Sequence, residues 1–218
     1  MASSDNYQIG KGVLYVRPFT SLPTTWTGPK AYAAGSYAIS DDRLWLTASG
    51  GTSGTGAPTG ATGTFTDGSV SWAQINWVDL GNVPSAEYVQ ETTTLDHYSS
   101  RSGIKTRDLQ VVTERKATLN LTVDEITFEN LQIATMGGTM TGATGSRSFD
   151  VFASDQTMAS VKFVASNDVG TQQDWFWGYV RFLPGKSIKL ISDGFNEVEI
   201  SGEVGADWNA KYGTVTES

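Results

Sequence analysis

No cysteine occurs among the 218 residues, and histidine occurs once, at His97. Without cysteine no disulfide can form, which fits synthesis in a reducing compartment. A single imidazole excludes any metal site built on two histidines, the HExxH arrangement among them. Long apolar runs are also missing. Nowhere is there a stretch of about 18 apolar residues, and the start, MASSDNYQIGKG, lacks a basic flank followed by an apolar run. The chain therefore reads as soluble and unexported, with no membrane span. Positive charge is scarce too, since 15 Lys and Arg face 23 Asp and Glu for a net charge of −8. Affinity for phosphates needs an excess of cations, so this balance argues against nucleic-acid binding; the same acidity also keeps an ordinary protein in solution.

What is abundant is Gly, Ser and Thr, with aromatics in short alternating runs, a composition of strands joined by many turns. The clearest pattern runs from Leu109 to Val123. Leu109, Val111, Thr113, Arg115, Ala117, Leu119, Leu121 and Val123 alternate with Gln110, Val112, Glu114, Lys116, Thr118, Asn120 and Thr122. A period of two with one polar face predicts a long strand packed on one side. At roughly 15 residues it would reach roughly 50 Å, well beyond the usual strand of about 5 to 6 residues. The period breaks at Asp124. Residues 124–134 read as a short helix with Asp124 or Thr127 as N-cap and Gly137 and Gly138 ending it, buried through Leu131 and Ile133 or Ala134. Ahead of the long strand, Ala86 to Leu95 reads as a second one, and Leu95 to Arg107 as a polar loop between the two.

Elsewhere, residues 1–9 read as a loose arm, and Gly12 to Pro18 as a first strand stopped by proline. From Gly28 to Trp77 the character changes, with short strands around Asp41-Asp42, a glycine-rich run from Gly50 to Gly60 and a turn at Asp67-Gly68. So long a segment with its own aromatics predicts an inserted β minidomain, since structureless loops beyond about 15 residues are uncommon. Strands follow at 149–152, 160–164 and 175–182, then a hairpin through Pro184-Gly185-Lys186 into 187–191. The last strand, 197–204, shows a polar face of Glu197, Glu199, Ser201 and Glu203.

Catalytic patterns are thin. Asp96-His97-Tyr98-Ser99-Ser100 contains the residue types of a triad, yet triad members are brought together by the fold and are not consecutive on an extended chain. The glycine-rich run lacks the Gly-Lys-Ser/Thr ending of a phosphate loop, and the Asn120-Leu121-Thr122 sequon has no secretion signal to give it meaning. No pair of carboxylates is marked out for acid/base work. The reading is of a protein that is not an enzyme and carries no cofactor.

Several of these features occur together in one family. The Leu80-Gly81-Asn82-Val83 turn, a strand ending Leu95-Asp96-His97-Tyr98-Ser99-Ser100, a basic loop through Arg101, Lys105 and Arg107, the long strand, and Thr127-Phe128-Glu129-Asn130-Leu131 opening the helix closely resemble the major tail tube proteins of long-tailed bacteriophages. That resemblance implies a tail-tube-type β-sandwich with one short α-helix, laid out as residues 1–27 and 78–218 around the insert at 28–77. It also implies hexameric rings stacked into a hollow tube that conducts DNA without specific binding. A tape-measure protein and a tail terminator would be its partners, and the virion tail its place, after assembly in the host cytoplasm. In such an assembly strand parity assigns Glu87, Glu91, Gln110, Glu114, Lys116, Thr118, Asn120 and Thr122 to the bore, and the loop cations Arg101, Lys105 and Arg107 to contacts between rings. The insert resembles small β modules similar to chitin-binding modules, which makes Trp45 and Trp72 either its core or a glycan platform. The alternative function is a glycan-binding β-sandwich for surface attachment, stacking sugar on Trp45, Trp72, Trp175 and Trp177.

Overall fold

The computed structural model describes residues 10–60, 63–101, 103–168, 170–184, 188, 191, 193–194 and 196–217. The arm expected at 1–9 and most of the hairpin expected at 184–191 lie outside the described residues. The fold is mainly β with one short helix. In chain order the elements are β1 (Gly12–Phe19), β2 (Thr24–Thr25), β3 (Ala31–Tyr32), β4 (Tyr37–Ser40), β5 (Arg43–Ser49), β6 (Gly51–Thr52), β7 (Thr64–Asp67) and β8 (Val70–Ile75). Then come β9 (Val78–Asp79), β10 (Ser85–Ser99), β11 (Thr106–Val123), α1 (Phe128–Ala134), β12 (Thr157–Ala165), β13 (Gln173–Leu183), β14 (Val198–Val204) and β15 (Thr214–Glu217).

The main sheet runs β10-β11-β14-β13-β12-β1-β9, every pair antiparallel, with β15 joined to the first half of β13. Alternation sets its inner face. Leu14 and Val16, Leu119, Leu121 and Val123, Val180 and Phe182, and Ile200 are all buried in one core, while their neighbours point away. The sheet folds over this apolar face. Tyr88 on β10 lies against the stacked rings of Trp175 and Trp177 on β13, although β11 and β14 stand between those strands. The outward face of β10, β11 and β14 therefore points to one side of the body and the outward face of β13, β12 and β1 to the other.

The helix locks one end of this core. Thr127 is the N-cap, accepting from Asn130 N at 3.1 Å. Asp124, the other candidate, instead accepts from Asn82 Nδ2 at 2.6 Å and ties the approach to the Gly81 turn. Asn130, Ile133 and Ala134 are buried, whereas Leu131 stays half-buried. The helix stops before its glycines because Met136 is left-handed (φ 51°), which lets Gly137 N donate back to Gln132 O at 2.7 Å. Residues 149–152 are no strand: Phe152 is left-handed (φ 57°) and the Phe149 ring packs edge-on against Phe128 at 4.7 Å. Of these apolar residues Phe149 packs on the helix, while Val151 and Phe152 are exposed. Strand β15 has no such alternation, all four of its residues being exposed, which is why its sequence gives no signal.

The inserted segment forms a sheet ordered β2-β4-β5-β8-β7 and a β3-β6 ribbon, whose strands pair only with one another. It begins at Thr24, earlier than the change of composition at Gly28, because Thr24 and Thr25 pair in parallel with Ala38 and Ile39. Asp41 and Asp42, with φ 53° and 55°, make the tight hairpin between β4 and β5. At the β7-β8 turn only glycine serves, since Gly68 has φ 64° and a Cβ there would lie 2.4 Å from Thr52 O. A second core of Phe19, Tyr37, Ile39, Leu44 and Met158, with Tyr179 and Trp208 packed on it, joins the segment to the body. The insert is thus seated on β1, β12 and β13 rather than tethered.

Candidate functional site

The longest hairpin is exposed over most of its length. Along β11, Ala117, Leu119, Leu121 and Val123 are buried and pair with β14, while every residue from Thr106 to Lys116 is exposed. Residues 90–95 of β10 are exposed likewise. The strand expected to pack on one side along its whole length packs only over its last third. Beyond it the hairpin stands out as an arm. Since β14 reaches only Ala117, the outer edge of β11 from Thr106 to Lys116 and the whole outer edge of β10 carry no neighbouring strand among the described residues. The loop predicted from Leu95 to Arg107 is mostly strand and shrinks to residues 100–105.

Two bulges decide which side chains share a face. Thr93 pairs with Glu114 but Thr94 with Val112, leaving Thr113 as the extra residue, its Oγ1 donating to Thr93 O at 3.1 Å. On the body side of this bulge Glu87, Glu91, Glu114, Lys116, Thr118, Asn120 and Thr122 share the outward face, with Glu91 directly opposite Lys116. Gln110 does not join them. The bulge turns it to the other face, where it pairs with Asp96 and its Nε2 lies 3.4 Å from Thr94 Oγ1. The outward face is continued toward the tip by the pairs Leu95–Val111 and His97–Leu109, so it passes from acidic to apolar. Leu95 is 66% exposed and Leu109 57%, so this apolar end of the face lies open to solvent.

Strand β14 widens the polar part. Glu199, Ser201 and Glu203 stand beside Thr122, Asn120 and Thr118, and Ser201 Oγ donates to Asn120 Oδ1 at 2.8 Å. Arg181 pairs with Glu203. Glu87, Glu91, Glu114, Glu199 and Glu203 face only Lys116 and Arg181 there, so the surface is acidic. At the tip Arg101 and Lys105 are exposed, whereas Arg107 belongs to β11 and sits 3.4 Å from Asp96. His97 Nδ1 meets Asp108 Oδ1 at 2.6 Å, a bulge residue, and not Ser99 or Ser100, so the triad residue types are not assembled. Among the described residues no cluster is placed to hold a metal ion, and no helix is long and apolar enough to cross a membrane.

Trp45 and Trp72 are not a platform. They are 1% and 0% exposed, with Trp72 edge-on to Tyr32 at 4.9 Å and Trp45 beside Phe65. With Tyr32, Ala38 and Val70 they are the core of this small module, and Trp26 and Phe65 pack against it. Trp177 is likewise spent inside the body beneath Tyr88.

One other charged pair carries a shifted titration. Arg147 donates to Glu129 in the first turn of α1 and holds that carboxyl below the usual glutamate range.

A family described as Protein of unknown function UCP028589 matches residues 64–160, which takes in β10, β11 and α1. No curated protein matches the chain.

Proposed function

We propose that this chain is a structural subunit that assembles through its β10–β11 arm, as the tail tube subunit of a long-tailed phage. The observation that carries the reading is an arm with both edges unpaired and an apolar outer half. A lone two-stranded ribbon is marginal in water, and open edges are a liability that native proteins cover or close. Here the cover is a second copy of the same arm. Edge pairing between neighbours around a ring joins all arms into one barrel and leaves no edge. The hexameric count comes from the resemblance.

The charge pattern supports the same orientation. A bore lined by Glu87, Glu91, Glu114, Glu199 and Glu203, with Thr118, Asn120 and Thr122 between them, offers phosphates few cations on which to stop. DNA then slides without specific binding. The folded sheet supports an insert on the outside of the tube, since the outward face beneath it is opposite the acidic one. Arg101 and Lys105 at the arm's tip are the cations for the adjoining ring, and the tape-measure and terminator proteins are the further partners.

Electron microscopy of the purified protein tests this. Closed rings or hollow tubes are expected; particles that remain single subunits at high concentration would refute it.

A further inference from the structure

The junction between the insert and the body has two unlike regions on one face of β1 and β12. Phe19 pairs with Met158 at one end, and both belong to the apolar core that seats the insert. Further along the strands come Arg17 on β1, opposite Ser160, and Lys162 on β12, opposite Tyr15. Parity puts these side chains on the same face, and at about 3.3 Å per residue Lys162 lies roughly 13 Å along the strand from Met158.

The insert reaches this far end through Trp77, in the link between β8 and β9. The Arg17 guanidinium carbon lies over the Trp77 ring 4.4 Å from its centre and Lys162 Nζ lies over it at 5.3 Å, with Phe176 of β13 edge-on at 6.3 Å. Arg17 is 2% exposed and also donates to Asp42 O at 3.3 Å, so one body side chain holds both the β4–β5 hairpin and the link. Among the described residues neither cation contacts a carboxylate. Burial lowers the Arg17 pKa to about 10, against the raising effect of Asp42, which leaves it charged at neutral pH. Two like charges gathered at one ring repel each other, and the electron-rich ring face offsets that, the more so where water is excluded.

Beside this contact the insert and the body stand apart around a cleft of about 830 Å³, lined by Arg17, Trp77 and Lys162 together with Ile39, Phe176 and Trp208. No strand of the insert pairs with the body, so no backbone ladder sets the angle between them. The apolar seat resists separation, but burial of apolar surface is non-directional and fixes rotation poorly. We propose that Arg17, Lys162 and Trp77 are a latch: closed, they fix the gape of the cleft; opened, the insert turns on its apolar seat with both cores intact. Any surface that the insert presents is thereby held at a constant angle to the body. The latch lies within one chain and does not rest on ring assembly.

Double electron–electron resonance on the full chain tests it. The chain has no cysteine, so spin labels attach only at Thr66→Cys on β7 and Glu199→Cys on β14, both exposed positions, and dilution into unlabelled chain suppresses distances between copies. The otherwise wild-type chain gives one narrow distance distribution. Trp77→Ala, which removes the ring, widens it about twofold or more, and Lys162→Met, which keeps the stem and drops the charge, widens it less. Circular dichroism reports whether the fold is retained, and Lys162→Met decides the matter if Trp77→Ala does not fold. A broad distribution without either variant overturns the proposal, as does a distribution that the folded variants leave as narrow as before.

Discussion

Tyr88 on β10 meets Trp177 on β13 with ring centres 5.4 Å apart, two strands intervening in the sheet. This contact is where the sheet closes over its core, and it fixes the root of the arm. Tyr88→Ala should destabilise the monomer by about 2–3 kcal/mol, less than the ~3–5 kcal/mol for losing a fully buried aromatic ring because Tyr88 is only half-buried. Tyr88→Phe should be nearly silent. Urea unfolding measures both.

The helix offers a sharper test. Asn130 Nδ2 donates to Leu80 O at 2.9 Å and to Glu125 O at 2.8 Å, joining α1 to the turn before β10. Asn130→Asp would place a carboxylate against two carbonyl oxygens in a site 1% exposed. We expect a loss of about 3 kcal/mol or more, exceeding that of Asn130→Ala, because a buried unpaired charge costs more than a missing hydrogen bond. Equal losses in thermal melts would contradict the geometry.

Glu129 gives a pH dependence. Its folded pKa lies below the ordinary value because Arg147 hydrogen-bonds the charged form. The pair's contribution is therefore present above the unfolded pKa of about 4.3 and lost as pH falls from there through the folded pKa. The stability gap between wild type and Arg147→Gln, limited to about 1 kcal/mol for so exposed a pair, should narrow below about pH 4. A remainder should persist, since Arg147 also lies 5.1 Å from the Phe128 ring centre. A gap constant from neutral pH to pH 3 would rule the linkage out.

Charge reversal on the acidic face tests the proposed bore. Glu91→Lys with Glu114→Lys should create DNA retention that weakens steeply with salt, each added phosphate contact steepening the slope by about 0.9. The wild-type protein should show none. Gel-shift titrations at several salt concentrations distinguish the two.

The body was largely legible in the sequence wherever one face is buried and alternation is strict, as at Leu119 to Val123 and Val198 to Val204. The helix was readable from Thr127 and the broken period. What escaped depends on pairing rather than composition. The bulge at Thr113 exchanges faces for Gln110 because a single extra residue shifts a period of two, and no residue type announces it. Burial of Trp45 and Trp72 follows from the small size of the insert, which sequence suggests, but their packing partners come from separate strands. The end of burial at Ala117 is set by how far β14 reaches, and nothing in the alternation of β11 marks it.

In the proposed assembly the exposed arm makes the contacts between copies. Light scattering of the wild-type chain beside Leu95→Lys with Val111→Lys tests it most directly, because these two side chains pair on the arm far from the core and their loss should change monomer stability by less than about 0.5 kcal/mol. Ring-sized or larger particles are expected for the wild type and a folded monomer for the variant. A wild type that stays monomeric at every concentration, or a variant that assembles as readily, would contradict it.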